Sequence, residues 1–325
     1  MKIGIFLCAS AILASGAAHA AVEGMQDCHL RQVASLDVTV TAHHRVLVPV
    51  TLSGSPFRME LKLSSGVSVI DHSIVVERKI KTYSLDSGIF EVYGGGGRVT
   101  ELAAVDGLSL GGARYSRIDL LVGPHYSAAE EGVIGDIGMD MFGNLDLELD
   151  LPHRKLKLFS QDHCPGKVVY WSSTFSTAVM RRGDLGNVYF PVELEGRKID
   201  AALATGLAET SLTTDVTRRL FGFDEHSAGV EKEVTQGETV LGQYRAMELT
   251  SSGFSVMNAR IRLIPGSPNC SVIVGLGKDA GAAYKGCSGV VPLNLGMNVL
   301  EKLHIYIATR ENMLYFTGPD VQSSN

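Results

Sequence analysis

Phe57-Arg58-Met59-Glu60-Leu61-Lys62-Leu63-Ser64-Ser65-Gly66-Val67-Ser68-Val69-Ile70 decides the fold, because the chain carries this pattern twice. The second copy is Arg197-Lys198-Ile199-Asp200-Ala201-Ala202-Leu203-Ala204-Thr205-Gly206-Leu207-Ala208-Glu209-Thr210-Ser211-Leu212. Each copy follows an apolar, β-branched run and a turn. In the first these are Val46 to Leu52 and Ser53-Gly54-Ser55; in the second, Val188 to Leu194 and Glu195-Gly196-Arg197. Two such runs joined by a Gly-containing turn read as a β-hairpin. Each hairpin then feeds a sharp Ser/Thr-Gly turn, Ser65-Gly66 and Thr205-Gly206, followed by apolar residues.

The repeat continues outward on both sides. Arg117-Ile118-Asp119-Leu120-Leu121 resembles Arg260-Ile261-Arg262-Leu263-Ile264, and Gly138-Met139-Asp140-Met141-Phe142 resembles Gly296-Met297-Asn298-Val299-Leu300. A closing hairpin follows each, Leu145 to Phe159 and Leu303 to Phe316. In the first, Asp146 to Leu151 alternates strictly, turns at Pro152-His153-Arg154 and resumes at Lys155, the period of a half-buried strand pair. The alignment sets Gly66 against Gly206 and leaves the second half with an insertion between Ile264 and Pro292. Helical signal is confined to short stretches near Asp215–Phe221, stopped by Gly222, and Leu300–Leu303. The fold class is all-β, with two similar lobes.

The N-terminus reads as a secretory signal peptide over residues 1–20: Lys2, an apolar run from Ile3 to Leu13, and Ala18-His19-Ala20 as the cleavage site. Cys8 lies inside the apolar run, which excludes a lipoprotein anchor, and no later stretch has the length and apolarity of a membrane-spanning helix. The expected organisation is a first lobe at 21–165, a connection at 166–186 containing Trp171 and Ser172-Ser173-Thr174, a second lobe at 187–320 and a tail at 321–325. The net charge of −6, without a long basic run, argues against nucleic acid or anionic membrane as partner. Beyond the signal segment the cysteines are Cys28, Cys164, Cys270 and Cys287, an even set in an exported chain. Three pairings are open. Their placement against the repeat favours Cys28–Cys164 and Cys270–Cys287, the second tying down the insertion. No Cys pair has the short spacing of a zinc site, and no metal or cofactor is expected.

The order of parts, twice over, resembles an aspartic peptidase of the pepsin and retropepsin type: hairpin, Ser/Thr-Gly turn, flap region, Gly-containing segment, closing hairpin. The Gly138 to Phe142 segment with its hairpin looks especially like bacterial retropepsin-like proteins. The resemblance covers roughly residues 40 to 318. It implies two lobes packed around a cleft, Ser64 and Ala204 at the positions of the catalytic Asp residues, and Ser65 and Thr205 as hydroxyls bonding across the lobes. It further implies Gly66 and Gly206 as turn formers and Gly94-Gly95-Gly96-Gly97 as a flap tip. The chemistry needs two carboxylates that share a proton and hold a water. Ser64 and Ala204 supply neither.

Leu85-Asp86-Ser87-Gly88 spells the peptidase triplet, but no hairpin and turn precede Asp86, so it reads as a solvated turn. Gly94 to Gly97 lacks the Lys-Ser/Thr of a phosphate loop, and Gly132 to Gly138 lacks the dinucleotide-binding order. His43-His44 has no ligand-spaced partner. Asp71-His72 beside Ser64 suggests a serine hydrolase, but strand neighbours point to opposite faces. The sequence therefore predicts an exported, periplasmic or extracellular, non-catalytic protein that binds a peptide or envelope protein in extended form between its lobes. The alternatives are an active peptidase using Asp86 and a structural envelope protein.

Overall fold

The computed structural model describes residues 29–84, 90–91, 98–123, 132–183, 188–234, 240–251, 254–264, 271–274, 283–286 and 293–318. The first half contributes β1 (Gln32–Asp37), β2 (Thr39–Val40), β3 (Val46–Leu52), β4 (Ser55–Leu61), β5 (Val69–Asp71), β6 (Thr82–Ser84), β7 (Phe90–Glu91), β8 (Arg98–Val99), β9 (Glu101–Leu110), β10 (Ala113–Gly123), β11 (Val133–Ile137), β12 (Leu145–Asp150) and β13 (Lys155–Ser160). The second contributes β14 (Ser176–Val179), β15 (Arg181–Arg182), β16 (Val188–Leu194), β17 (Arg197–Leu203), β18 (Ser211–Thr213), β19 (Glu231–Val234), β20 (Val240–Ser251), β21 (Phe254–Ile264), β22 (Ser271–Val274), β23 (Ala283–Gly286), β24 (Leu293–Leu295), β25 (His304–Ala308) and β26 (Met313–Thr317).

The two halves build the same sheet. The first has the order β2-β3-β4-β11-β5-β10-β9-β6 and the second β15-β16-β17-β24-β18-β21-β20-β19. Each closes on itself, through β3–β9 and β16–β20, into a six-strand barrel. Even the mixed pairing is repeated. β11 runs parallel to β4 and antiparallel to β5, as β24 does to β17 and β18. The protein is thus a two-lobe all-β fold with an internal repeat.

The alternation seen in sequence explains the barrels. Val46, Val48, Val50 and Leu52 face inward from β3, as Val188, Phe190, Val192 and Leu194 do from β16. They join one hydrophobic cluster that runs through both lobes. The turns of the two hairpins sit in left-handed backbone, Ser53-Gly54 at φ 49° and 82° and Glu195-Gly196 at 49° and 69°, as tight hairpin loops require.

A six-stranded sheet, β1-β13-β12-β25-β26-β14, joins the lobes. Its centre is β12 against β25, so the closing hairpin of one half pairs with that of the other, Leu147 opposite Ile307 and Leu149 opposite Ile305. One face of β12 adds Leu147 and Leu149 to the main core. The other face buries Asp146, Glu148 and Asp150, each beside a histidine: His163 on Asp146 at 2.5 Å, His304 on Glu148 at 3.0 Å and His153 on Asp150 at 2.8 Å. Trp171, from the connecting segment, stacks on His304 and donates Nε1–H to Thr317 Oγ1.

Helices are short, as expected. Residues Thr214–Val216 and Thr217–Phe221 make two consecutive helical pieces that stop at Gly222 in left-handed backbone, and Met297–Leu300 makes another, ending where the expected Leu300–Leu303 stretch begins. The helix His72–Glu77 is not foreseen by the sequence reading. Asp71 caps it, accepting from Ser73 N at 2.7 Å and Ser73 Oγ at 2.6 Å. Asp71-His72 is therefore a helix start and not a strand pair facing Ser64.

Candidate functional site

After β4 and after β17 the chain makes the same turn, and its hydrogen bonds fix which residues are equivalent. Lys62 N donates to Ile137 O at 2.8 Å, and Ala204 N to Leu295 O at 2.9 Å. Ser65 N closes onto Lys62 O at 2.9 Å, and Leu207 N onto Ala204 O at 3.0 Å. Met139 N reaches Ser65 O and Met297 N reaches Leu207 O, both at 2.9 Å. Lys62 therefore occupies the place of Ala204, Leu63 that of Thr205, and Ser64 that of Gly206.

This corrects the sequence alignment, which set Ser64 against Ala204 and Gly66 against Gly206. Matching the glycines inside the turn displaced the register by two residues. The hairpin turns, Ser53-Gly54 against Glu195-Gly196, already have the spacing that the structure keeps through the loop.

The turns are hydrogen-bonded across the lobes by Thr205. Thr205 Oγ1 donates to Leu61 O at 2.6 Å and accepts from Leu63 N at 3.1 Å, fully buried. The equivalent residue, Leu63, has no hydroxyl to return the contact. Ser65 was expected to bond across the lobes. It bonds within its own turn instead, donating Oγ–H to Val67 O at 2.7 Å.

Behind each turn a polar latch repeats. Ser68 N and Oγ donate to the two Asp140 oxygens at 2.9 and 2.5 Å, while Gly138 N donates to Ser68 Oγ at 2.8 Å. Thr210 N and Oγ1 both donate to Asn298 Oδ1, at 2.9 and 2.8 Å, while Gly296 N donates to Thr210 Oγ1 at 3.1 Å. Gly138 and Gly296 are required by close approach. A Cβ would lie 2.5 Å from Val67 O in the first and 2.3 Å from Glu209 C in the second. Burial pushes the Asp140 carboxyl above its ordinary range, although the Ser68 and Met141 hydrogen bonds pull against it.

Lys62 lies on the seam between lobes. A Cβ added to Gly206 would meet Lys62 Cγ at 3.1 Å and Cδ and Cε at 3.4 Å, so the lysine stem rests on that glycine. Its ammonium is 2.8 Å from Asp136 Oδ2 and 3.7 Å from Glu60 Oε2. Arg45 Nε donates to Glu60 at 3.0 Å. Burial pushes the Glu60 carboxyl up, outweighing the pull of Lys62 and Arg45. None of these four residues stands out as a site residue in the sequence alone. The available signal was Arg58, Glu60 and Lys62 alternating with Met59, Leu61 and Leu63 on a strand whose counterpart carries alanines.

Other anticipated residues fall away from this site. His44 meets Glu301 of the second lobe at 3.3 Å. Among the described residues no three His, Cys, Asp or Glu side chains are grouped to hold a metal, and no helix is long and apolar enough to cross a membrane. Cys164 is disulfide-bonded. Cys28, Cys270, Cys287, Asp86, Gly94, Gly95, Gly96 and Gly97 lie outside the described residues, as do the signal segment 1–20 and the tail 321–325.

The fold and the paired turns define a two-lobe, double-barrel β protein. Among solved structures the chain is similar to the crystal structure of conglutin gamma, a basic 7S globulin from lupine seeds. The TM-score is 0.50 and the identity 12%, over 89% of this chain and 95% of that one. At that identity the likeness speaks for the fold alone. No family model matches the chain, and no curated protein matches it.

Proposed function

We propose that this protein is a non-catalytic member of the aspartic-peptidase fold that binds a peptide or protein segment in extended form between its lobes. The observation that supports this is the pair Lys62 and Ala204, equivalent in backbone and both without a carboxylate. Peptide hydrolysis on this scaffold needs one carboxylate to take a proton from water while its partner donates one. An ammonium bonded to Asp136 can accept no proton, and a methyl group can do neither. Addition of a strand through backbone hydrogen bonds needs no reactive group. On this reading the protein works outside the cytoplasm, in the periplasm or beyond, which the signal-like N-terminus and the even cysteine set support.

The test is incubation of the purified mature chain with a broad peptide pool from acid to neutral pH. The account expects intact peptides, with NMR shifts on binding at Leu63, Ser64, Gly206 and Leu207. Cleavage would contradict it, and cleavage abolished by Asp86→Asn would move the chemistry to Asp86.

A further inference from the structure

The two walls that meet at the seam are chemically unlike. By the register above, the places of Glu60, Lys62 and Asp136 in the first lobe are taken by Ala202, Ala204 and Asn294 in the second. At these positions one wall carries charge of both signs and the other carries none. Within the charged wall the order of burial is uneven. The side chains of Glu60 and Asp136 are each 6% exposed, whereas Lys62 is 28% and Arg45 24% exposed. The carboxylates lie behind and the cations in front.

We propose that this wall selects an acidic residue in the bound segment, with Lys62 as its anchor and Arg45 as its neighbour. This rests on the reading that a segment binds between the lobes at all. A buried four-charge cluster gains little stability over an apolar wall, and the second lobe makes the same turn with alanines. The charges are thus not demanded by the fold. Lys62, its stem against Gly206 and its ammonium oriented by Asp136, stands where the lobes meet. A carboxylate arriving from the exposed side joins a cluster whose acids are already committed to Lys62 and Arg45. The cations are the more exposed members of the cluster, and an acidic segment is the partner whose charge they complement.

The experiment uses three fluorescein-labelled nonapeptides of alternating Val and Thr with Asp, Asn or Lys at the centre, titrated by anisotropy against the mature chain. The Asp peptide is expected to bind about tenfold more tightly than the Asn peptide, the increment of one charge-assisted hydrogen bond, with the Lys peptide weakest. The preference should shrink at high salt. Lys62→Met leaves buried acids unpaired and risks the fold. The informative variant is therefore Lys62→Ala with Asp136→Asn, which copies the second lobe, and in it the Asp-to-Asn ratio should fall to about one. Equal binding of all three peptides to the wild type would overturn the inference, as would a ratio that survives in the double variant. Failure of every peptide to bind would overturn the functional reading beneath it.

Discussion

Thr205 of the second lobe holds the first lobe by its backbone, taking the N–H of Leu63 at 3.1 Å and giving its own proton to the carbonyl of Leu61 at 2.6 Å. The contact is one-sided because Leu63, in the reciprocal place, is apolar. Thr205→Val keeps the shape and removes both bonds, leaving a buried N–H and C=O unsatisfied. The expected cost is about 1–3 kcal/mol for each orphaned group, read by urea unfolding, and Thr205→Ser should recover most of it.

The latch behind the turns gives a second expectation. Asn298 takes the Thr210 N–H and O–H on its single Oδ1, the task that Asp140 divides between two oxygens for Ser68, and does so without a charge. Asp140→Asn should therefore be tolerated within about 1 kcal/mol, whereas Asp140→Ala should cost about 1–3 kcal/mol by stranding Ser68 and Met141. Thermal melts of the two variants at neutral pH distinguish them.

Two buried glutamates should respond to pH with opposite sign. Burial pushes the Glu148 carboxyl up, but hydrogen bonds from His304, Lys157 and Tyr170 outweigh it and hold it below the ordinary value of 4.5. Its contribution is present above that value and is lost as pH falls below it. Glu60 is held above 4.5 by burial, so its contribution is present below that value and is lost as pH rises through the raised one. The stability of the wild type relative to Glu148→Gln should shrink on acidification, while that relative to Glu60→Gln should grow. Parallel pH profiles for the two variants would contradict both assignments.

For the cysteines, the expectation is that Cys164 pairs with Cys28 and Cys270 with Cys287. Non-reducing peptide mapping checks it, and a Cys164 peptide linked to Cys270 or Cys287 would refute it. Joining Cys28 to Cys164 would close a loop containing nearly all of the first lobe, the kind of closure that most restricts an unfolded chain.

Much of this fold was legible in the residues because barrels and hairpins are written in local alternation. Val46 to Leu52, Val188 to Leu194 and Asp146 to Leu151 each alternate, and Gly138 and Gly296 mark the same close approach twice. The register inside the turns was not legible. Ser65-Gly66 resembles Thr205-Gly206 in residue type, yet the two perform different tasks, and only the backbone bonds to Ile137 and Leu295 show it. The charged wall was hidden for a related reason. Arg45, Glu60, Lys62 and Asp136 lie on three different strands or their flanks, and pairing across strands is a tertiary fact that alternation along one strand does not reveal.

The most direct test of the central claim, that Lys62 and Ala204 occupy an emptied dyad, is the titration of a carboxyl introduced at position 204. Ala204→Asp is made in two backgrounds, Lys62→Asn and Lys62→Asp, each with Asp136→Asn so that the buried acid is not left unpaired, and the new carboxyl is followed by NMR in each folded protein. Two carboxyls that face each other titrate as a pair and repel by more than about one pH unit. The account predicts that the position-204 carboxyl titrates at least about one unit higher with Lys62→Asp than with Lys62→Asn. Equal values in the two backgrounds, or a shift produced by Ser64→Asp instead, would contradict it.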